Sequence, residues 1–277
     1  MIMEEQSIPI GMLLQKAAKI RAHILEMVAE AKSGHPGGSL SAVEILVSLF
    51  FYKMRHDPKR PDWPDRDRFV LSKGHAAPVL FSTLAEAGYL PTSELKTLRK
   101  INSRLQGHPD HRVPGVEFPG GSLGIGLSAA IGMALAGKVD KKDYRVYALL
   151  GDGELDEGET WEAAMAAPKF KLDNLTAIVD RNGIQQDGLT EQIMPMEPVG
   201  YKWKAFNWHV LEVDGFDFRQ VIDALEKAEN MRNRPTVIIA HTVKGKGVSF
   251  MEWDPAYHGK APDKDTVRKL VKTMLEE

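Results

Sequence analysis

The chain has 277 residues, 43% of them hydrophobic, with 36 basic against 38 acidic side chains and a formal net charge of -2. That apolar content is enough to bury a substantial core, and so balanced a charge excludes a polybasic nucleic-acid-binding or membrane-surface protein. The absence of cysteine excludes a disulfide scaffold, cysteine-ligated zinc and thiol catalysis, and fits a reducing compartment.

From the amino end, residues 1–6 are polar and acidic, unlike a signal peptide, and the longest apolar stretch, residues 45–52, falls well short of the ~20 residues of a membrane span. A cytoplasmic protein is expected. Residues 10–31 place Leu13, Leu14, Ala17, Ile20, Ile24, Met27 and Val28 at helical spacing, and Gly34, Pro36, Gly37 and Gly38 end the pattern. A second helix is expected over 41–54, with Ser41 as N-cap and Glu44 completing a capping box. Residues 68–72 read as a strand, 75–87 and 92–99 as helices, and 122–136 as a helix of small residues. After that the pattern alternates. Apolar, β-branched runs at 144–150, 175–179, 209–213 and 236–240 are separated by helical patterns at 157–167 and 218–230, and an amphipathic helix closes the chain at 264–277. Strands alternating with helices imply an α/β fold, a mostly parallel sheet with helices on both faces. No repeat or linker divides the chain, so one domain over 1–277 is expected.

The residues at the strand ends are informative. Lys73-Gly74-His75, Gly151-Asp152-Gly153, Asp180-Arg181-Asn182, Asp214-Gly215 and His241-Thr242 all fall just after strands. Open parallel sheets bind ligands beyond their strands' carboxyl ends, so a site is expected there. Asp152, with Asn182 roughly thirty residues on at the next strand end, suits Mg²⁺ shared with a diphosphate, because magnesium takes one or two protein oxygens plus phosphate oxygens. The main-chain carbonyl of Ile184 could add a third oxygen, and Gly153 would let backbone approach a phosphate. Gly and Asp are also ordinary turn residues, so the matched Asn182 carries much of this reading.

Three histidines, His35, His75 and His108, directly follow glycine, and His258 lies in a late glycine-flanked loop. Imidazoles held on such loops suit proton transfer to sugar hydroxyls and hydrogen bonding to phosphate. His108 and His111 lack a third ligand for zinc. Lys244-Gly245-Lys246-Gly247 lacks the strand-loop-helix setting of a phosphate loop and reads as a mobile covering loop. Gly120 to Gly126 lacks dinucleotide-fingerprint spacing and reads as close packing or cofactor approach. The acids Asp156, Glu157, Glu159 and Glu162 fit either a solvated helix start or an acidic cluster at a subunit contact.

Together these segments resemble the transketolase family. Gly34-His35-Pro36-Gly37-Gly38, Leu71-Ser72-Lys73-Gly74-His75-Ala76, Gly107-His108-Pro109, Gly151-Asp152-Gly153-Glu154, the Asn182 segment, Lys244-Gly245-Lys246-Gly247 and His258-Gly259 occur in that family's order. The resemblance is to its N-terminal, diphosphate-binding domain and implies thiamine diphosphate as cofactor, with Mg²⁺ (Ca²⁺ or Mn²⁺ able to stand in) on Asp152, Asn182 and the Ile184 carbonyl. It implies that Gly151, Gly153, Glu154, His75 and His258 lie near the diphosphate and that Leu123 packs on the cofactor rings. His35, His108 and His258 would serve the sugar channel, and Glu157 and Glu162 would sit at a subunit interface. Gly121-Ser122-Leu123 resembles the split, two-subunit members, and the pyrimidine-binding and C-terminal domains are expected on another chain. The implied assembly is an α2β2 heterotetramer in which this chain pairs with a C-terminal transketolase subunit. Its expected activity is ketol transfer between sugar phosphates in pentose phosphate metabolism. A deoxyxylulose-phosphate-synthase-like half-enzyme, or a cofactor-binding paralogue without transketolase activity, are the alternatives.

Overall fold

The computed structural model describes residues 8–276. The reading of residues 1–6, and the last residue of the closing helix, lie outside the described residues. Arg68–Leu71 (β1), Val146–Gly151 (β2), Leu175–Arg181 (β3), His209–Asp214 (β4) and Thr236–His241 (β5) pair in parallel in the order β1-β2-β3-β5-β4. In register, Gly151 lies beside Asp180 and Arg181 beside His241, which brings the ends of β2, β3 and β5 level.

Side chains alternate along each strand, so each face of the sheet buries its own core. Tyr147, Leu149, Ile178 and Ile238 pack under Ile10–Ala31 (α1), Val43–Ser48 (α3), Ala77–Ala87 (α4), Phe218–Asn230 (α9) and Lys264–Glu276 (α10). Val146, Ala148, Leu150, Ala177, Val179 and Ile239 pack under Ile125–Val139 (α5), Gly158–Lys169 (α6) and Val199–Ala205 (α8). The expected parallel sheet covered on both faces is the observed one. Among the described residues no helix is long and apolar enough to cross a membrane.

Local departures have physical causes. Leu14, counted on the apolar face of α1, is exposed, while Leu13, Ile20, Ile24, Met27 and Val28 are buried as expected. The single helix expected over 41–54 is broken. Pro36–Leu40 forms a short helix (α2), Ser41 and Ala42 interrupt it, α3 comes next, and Leu49–Lys53 is a π-turn. Ser41 makes no N-cap, because its hydroxyl donates to the buried Asp180 Oδ2 at 2.6 Å, and Ala42 stands at the N-cap of α3 instead. Glu44 instead receives two hydrogen bonds from Arg21 Nη2, at 2.6 and 2.7 Å. The small-residue helix α5 begins at Ile125 rather than 122. Its glycines serve packing: a Cβ on Gly126 would stand 2.3 Å from Ser72 Oγ, so only glycine lets this helix press against the end of β1.

Candidate functional site

A cavity of about 380 Å³ lies beyond the carboxyl ends of β1, β2, β3 and β5. The sequence expectation that all five strand ends contribute is corrected at two of them. After β4, Asp214 caps its own turn by accepting from Phe216 N at 2.9 Å, and His241 at the tip of β5 is exposed and pairs with Glu212 at 3.0 Å. Neither lines the cavity; the contribution after β5 comes from Lys244.

His35, His75, Leu123, Gly151, Asp152, Gly153, Glu154, Asn182, Ile184 and His258 all line this cavity, so the structure brings together residues that the sequence spreads over more than two hundred positions. The rings of His35, His75 and His258 form a triangle with centroids 5.2–5.4 Å apart. Three expected residues stand apart. His108 is exposed at the rim, where a Cβ on Gly121 would come within 3.7 Å of its ring. Glu157 and Glu162 are exposed at and beyond the start of α6. Of the other acids, Asp156 lines the cavity and Glu159 accepts from Ser128 Oγ.

Three backbone segments hold the oxygen donors. Asp152 comes directly after β2 and is buried; its Oδ2 accepts from Gly183 N at 2.6 Å and its Oδ1 from Gly153 N at 2.9 Å. Burial, with Asp180 nearby, pushes its pKa up against the pull of Arg181 and the Gly183 amide. Asn182 comes directly after β3. Its Nδ2 donates to Asp180 Oδ2 at 3.3 Å, while its Oδ1 accepts from Ile184 N at 3.2 Å, which fixes the orientation of the amide. Glu154 is buried and accepts from Ser72 Oγ, Gly124 N at 2.9 Å and Gly151 N at 3.0 Å, so it ties the turns after β1 and β2 to the start of α5. Burial raises its pKa in spite of those donors.

Four further residues went unassigned in the sequence reading: Lys73, Asp180, Arg181 and Lys244. Asp180 is fully buried and accepts from Lys73 Nζ at 2.5 Å, Ser41 Oγ and the Thr242 hydroxyl. Burial opposes its charge, but Lys73 and the hydroxyl donors overcome that, and its pKa is lowered. Arg181 bridges Asp152 to the segment beyond it. Lys244 overturns the expectation of a mobile covering loop. It is 2% exposed, its Nζ donates to the Ile184 carbonyl at 3.0 Å and to His258 Nδ1 at 2.9 Å, and Val248 and Met251 bury the turn behind it. Burial and the charge of Lys73 lower the Lys244 pKa to about 8. The sequence offered Lys73 and Lys244 as members of family-like segments beside glycines, with no role for either side chain.

The imidazoles are kept neutral. Burial first, then the cations Arg99, Lys244 and Lys73 and the neighbouring His108, lower His35 to about 4. Burial, Lys244, His35 and Lys73 lower His258 to about 3, and burial with Lys73 pulls His75 down as well. His108 is lowered by burial and by Arg99. A neutral His258 that accepts at Nδ1 from Lys244 carries its proton on Nε2, the tautomer that can donate.

The cleft fits a diphosphate and a hard cation. Among the described residues no three His, Cys, Asp or Glu side chains are placed to hold a metal ion together. A metal here would therefore rest on one carboxylate, one amide and a main-chain carbonyl, with the ligand's own oxygens completing an octahedron. The Ile184 carbonyl has a second lone pair free of Lys244. A Cβ on Gly153 would stand 2.8 Å from Gln185 Cβ, so that turn is as narrow as its backbone allows. Among the described residues His35 Nδ1 is buried without a partner.

A parallel sheet with oxygen donors, lysines and neutral imidazoles gathered at its carboxyl ends defines an α/β domain for binding a phosphorylated cofactor. The comparisons agree. The family described as "Transketolase, thiamine diphosphate binding domain" matches residues 14–275, and the chain belongs to that family. It is 43% identical over 261 residues to a Phocaeicola vulgatus protein named as one subunit of an apulose-4-phosphate transketolase, covering 94% of this chain and 93% of that one. It is 46% identical to the 6-deoxy-6-sulfo-D-fructose transketolase subunit SqwG of Clostridium sp., covering 92% of each. The transketolase structure from Campylobacter jejuni superposes with a TM-score of 0.92 at 35% identity, covering 96% of this chain but 43% of that one. This chain thus spans under half the length of that solved transketolase, and nearly the whole of the relatives named as subunits.

Proposed function

We propose that this chain is a single diphosphate-binding domain acting as the N-terminal subunit of a two-subunit, thiamine-diphosphate-dependent transketolase. In that role it transfers a two-carbon ketol unit from a ketose phosphate to an aldose phosphate. The observation that carries the reading is the placement of Asp152 and Asn182 directly after neighbouring strands, with Ile184 two residues beyond Asn182, in one cavity with Lys244 and three neutral histidines. When bound, the cofactor supplies the nucleophilic carbon that takes up and passes on the ketol unit. Asp152, Asn182 and Ile184 hold Mg²⁺, or Ca²⁺ or Mn²⁺ in its place. Gly151, Gly153, Glu154, His75 and His258 surround the diphosphate, the Lys244 ammonium attracts it, and Leu123 packs against the cofactor rings.

The sugar end falls to His35, His258 and His108. Neutral rings can accept a proton from a sugar hydroxyl and return it, and a His258 protonated on Nε2 can donate to a carbonyl oxygen. His108, at the rim, meets the donor's outer hydroxyls. Glu157 and Glu162 are exposed at and beyond the start of α6 and are assigned to contacts between copies or subunits. Two relatives are named as subunits, which supports a partner chain; in this reading that partner carries the remaining domains, and the two form an α2β2 heterotetramer that works on sugar phosphates in the cytoplasm. Those two names specify different sugars. The test is reconstitution. This chain and its partner, mixed with thiamine diphosphate and Mg²⁺, should transfer ketol units, and each alone should give essentially none. Full activity of this chain alone would refute the split. Pyruvate decarboxylation by the pair would favour the synthase alternative.

A further inference from the structure

Arg181 has no part in the roles assigned above, and its surroundings are unusual. It is the last residue of β3, its side chain is 10% exposed, and it lies behind Asp152 rather than in the cleft. Its guanidinium is engaged at each nitrogen. Nη1 donates to Asp152 Oδ2 at 3.2 Å and to Thr190 Oγ1 at 2.7 Å, Nη2 to Glu191 Oε1 at 3.1 Å, and Nε to Glu197 Oε1 at 3.1 Å. Thr190, Glu191 and Glu197 belong to the stretch just beyond β3, and Gln185, Gln186, Asp187 and Ile193 of that same stretch form one wall of the cleft. One planar cation thus joins a carboxylate of the cleft to the wall beside it.

We infer that Arg181 is a positioning residue that pins Asp152 for the metal and couples that carboxylate to the order of the 185–197 wall. The inference rests on the metal-site reading above. Arg181 and the Gly183 amide both hold Oδ2, so the carboxylate cannot rotate, and Oδ1 is left with only the amide of its own turn. Arginine suits this because its fork of five donors reaches several acceptors in fixed directions, whereas an ammonium is a single point. Two electrostatic effects oppose each other. A guanidinium near a divalent cation repels it, yet a buried carboxylate stripped of its counter-charge is costly to keep ionised. Because Asp152 is buried and Arg181 contacts it from outside the cleft, orientation and counter-charge prevail, and removing Arg181 weakens metal binding.

The experiment uses the full chain with its partner subunit, titrating Mg²⁺ at saturating thiamine diphosphate by calorimetry, alongside hydrogen exchange of 185–197 in the cofactor-free chain. Arg181→Met is expected to raise half-saturating Mg²⁺ by about 10- to 100-fold, the range for losing an outer partner of a metal ligand. It should also speed exchange across 185–197. Arg181→Lys should recover part of the metal affinity through one bond to Asp152 while exchange stays fast; it also serves if the methionine variant does not fold. The pair Glu191→Gln and Glu197→Gln, which leaves the Asp152 contact in place, should loosen the wall and raise half-saturating Mg²⁺ several-fold. Metal affinity unchanged or tightened in Arg181→Met, even with a lower melting temperature, overturns the inference. So does a loosened wall with unaltered Mg²⁺ binding in the double variant. Asp152→Ala separates the two failures: if it too leaves Mg²⁺ binding intact, the metal-site reading falls, and if it abolishes binding, only the role of Arg181 does.

Discussion

The two poles of the sheet are both dense in charge, and they handle it in opposite ways. At the amino ends of the strands, a second cavity of about 390 Å³ is lined by cations and anions, and each of its four anions is paired: Glu229 with Lys53, Asp143 and Asp67 with Arg55, Asp173 with Lys138. Each of these pairs keeps at least one partner partly in solvent, although Asp67 itself is buried, and pairs so exposed contribute roughly 0–1 kcal/mol each. At the carboxyl ends the charged groups are buried: Lys73, Asp180, Asp152, Glu154 and Lys244 are each at most 3% exposed. Removing one partner of a buried pair costs about 3–5 kcal/mol, so nothing is kept there cheaply. The contrast teaches that charge density does not locate a site. Desolvated charge in a cleft, with perturbed pKa values, does.

The contrast can be broken at several places. Asp152→Ala should have the largest effect, lowering Mg²⁺-dependent thiamine diphosphate affinity beyond the about 10–100-fold typical of outer-partner losses. Circular dichroism should show the fold retained, and unchanged affinity by calorimetry would remove the assignment of the cleft. Next comes Gly126→Ala, whose added Cβ would meet Ser72 Oγ at 2.3 Å. It should destabilise the chain by about 1–3 kcal/mol in a thermal melt. Gly132→Ala, on the same helix with nothing within 4 Å, is the control and should be neutral or stabilising by up to about 1 kcal/mol.

The smaller effects test the contrast from the other side. Lys138→Ala breaks a half-exposed pair at the far pole and should cost at most about 1 kcal/mol in denaturant unfolding, with cofactor affinity untouched. A large loss would mean that the far pole is more than a solvated surface. The last expectation is a near absence of change. His35 is lowered to about 4 and His258 to about 3, so both are already deprotonated well below pH 6. Ketol transfer by the assembled enzyme should therefore vary by less than about twofold between pH 6 and 7.5. A clear inflection near 6.5 would mean that an imidazole of ordinary solvation governs turnover.

Much of this was readable from residues whose neighbours in space are also neighbours in the chain. The strands at 175–179 and 236–240 are apolar, β-branched runs bounded by turn residues, and both are found as β3 and β5, extended by two and one residues. Asp152 and Asn182 stood out because each comes directly after a strand, and parallel pairing of β2 with β3 then brings those two ends together. The helix expected over 41–54 failed for a reason that local patterns do not contain. Ser41 as an N-cap would have contributed about 1 kcal/mol. Its actual partner, Asp180, lies 139 residues away and is fully buried. Satisfying a buried carboxylate outweighs a cap. Lys244 was misread in the same way, since its partner carbonyl at Ile184 is 60 residues distant.

The amino-acid sequence alone determined the parallel α/β architecture, the family resemblance and most of the residues that meet in the cleft, because periodicity and strand-end turns are short-range properties of the chain. Only the tertiary structure decided which charges are buried, that Lys244 is clamped against His258, that Asp180 anchors Lys73, Ser41 and Thr242, and that Arg181 stands behind Asp152. Those outcomes depend on desolvation and on pairings across 14 to 139 residues. Local propensity does not encode such pairings, and the folded sheet sets them by bringing its strand ends level.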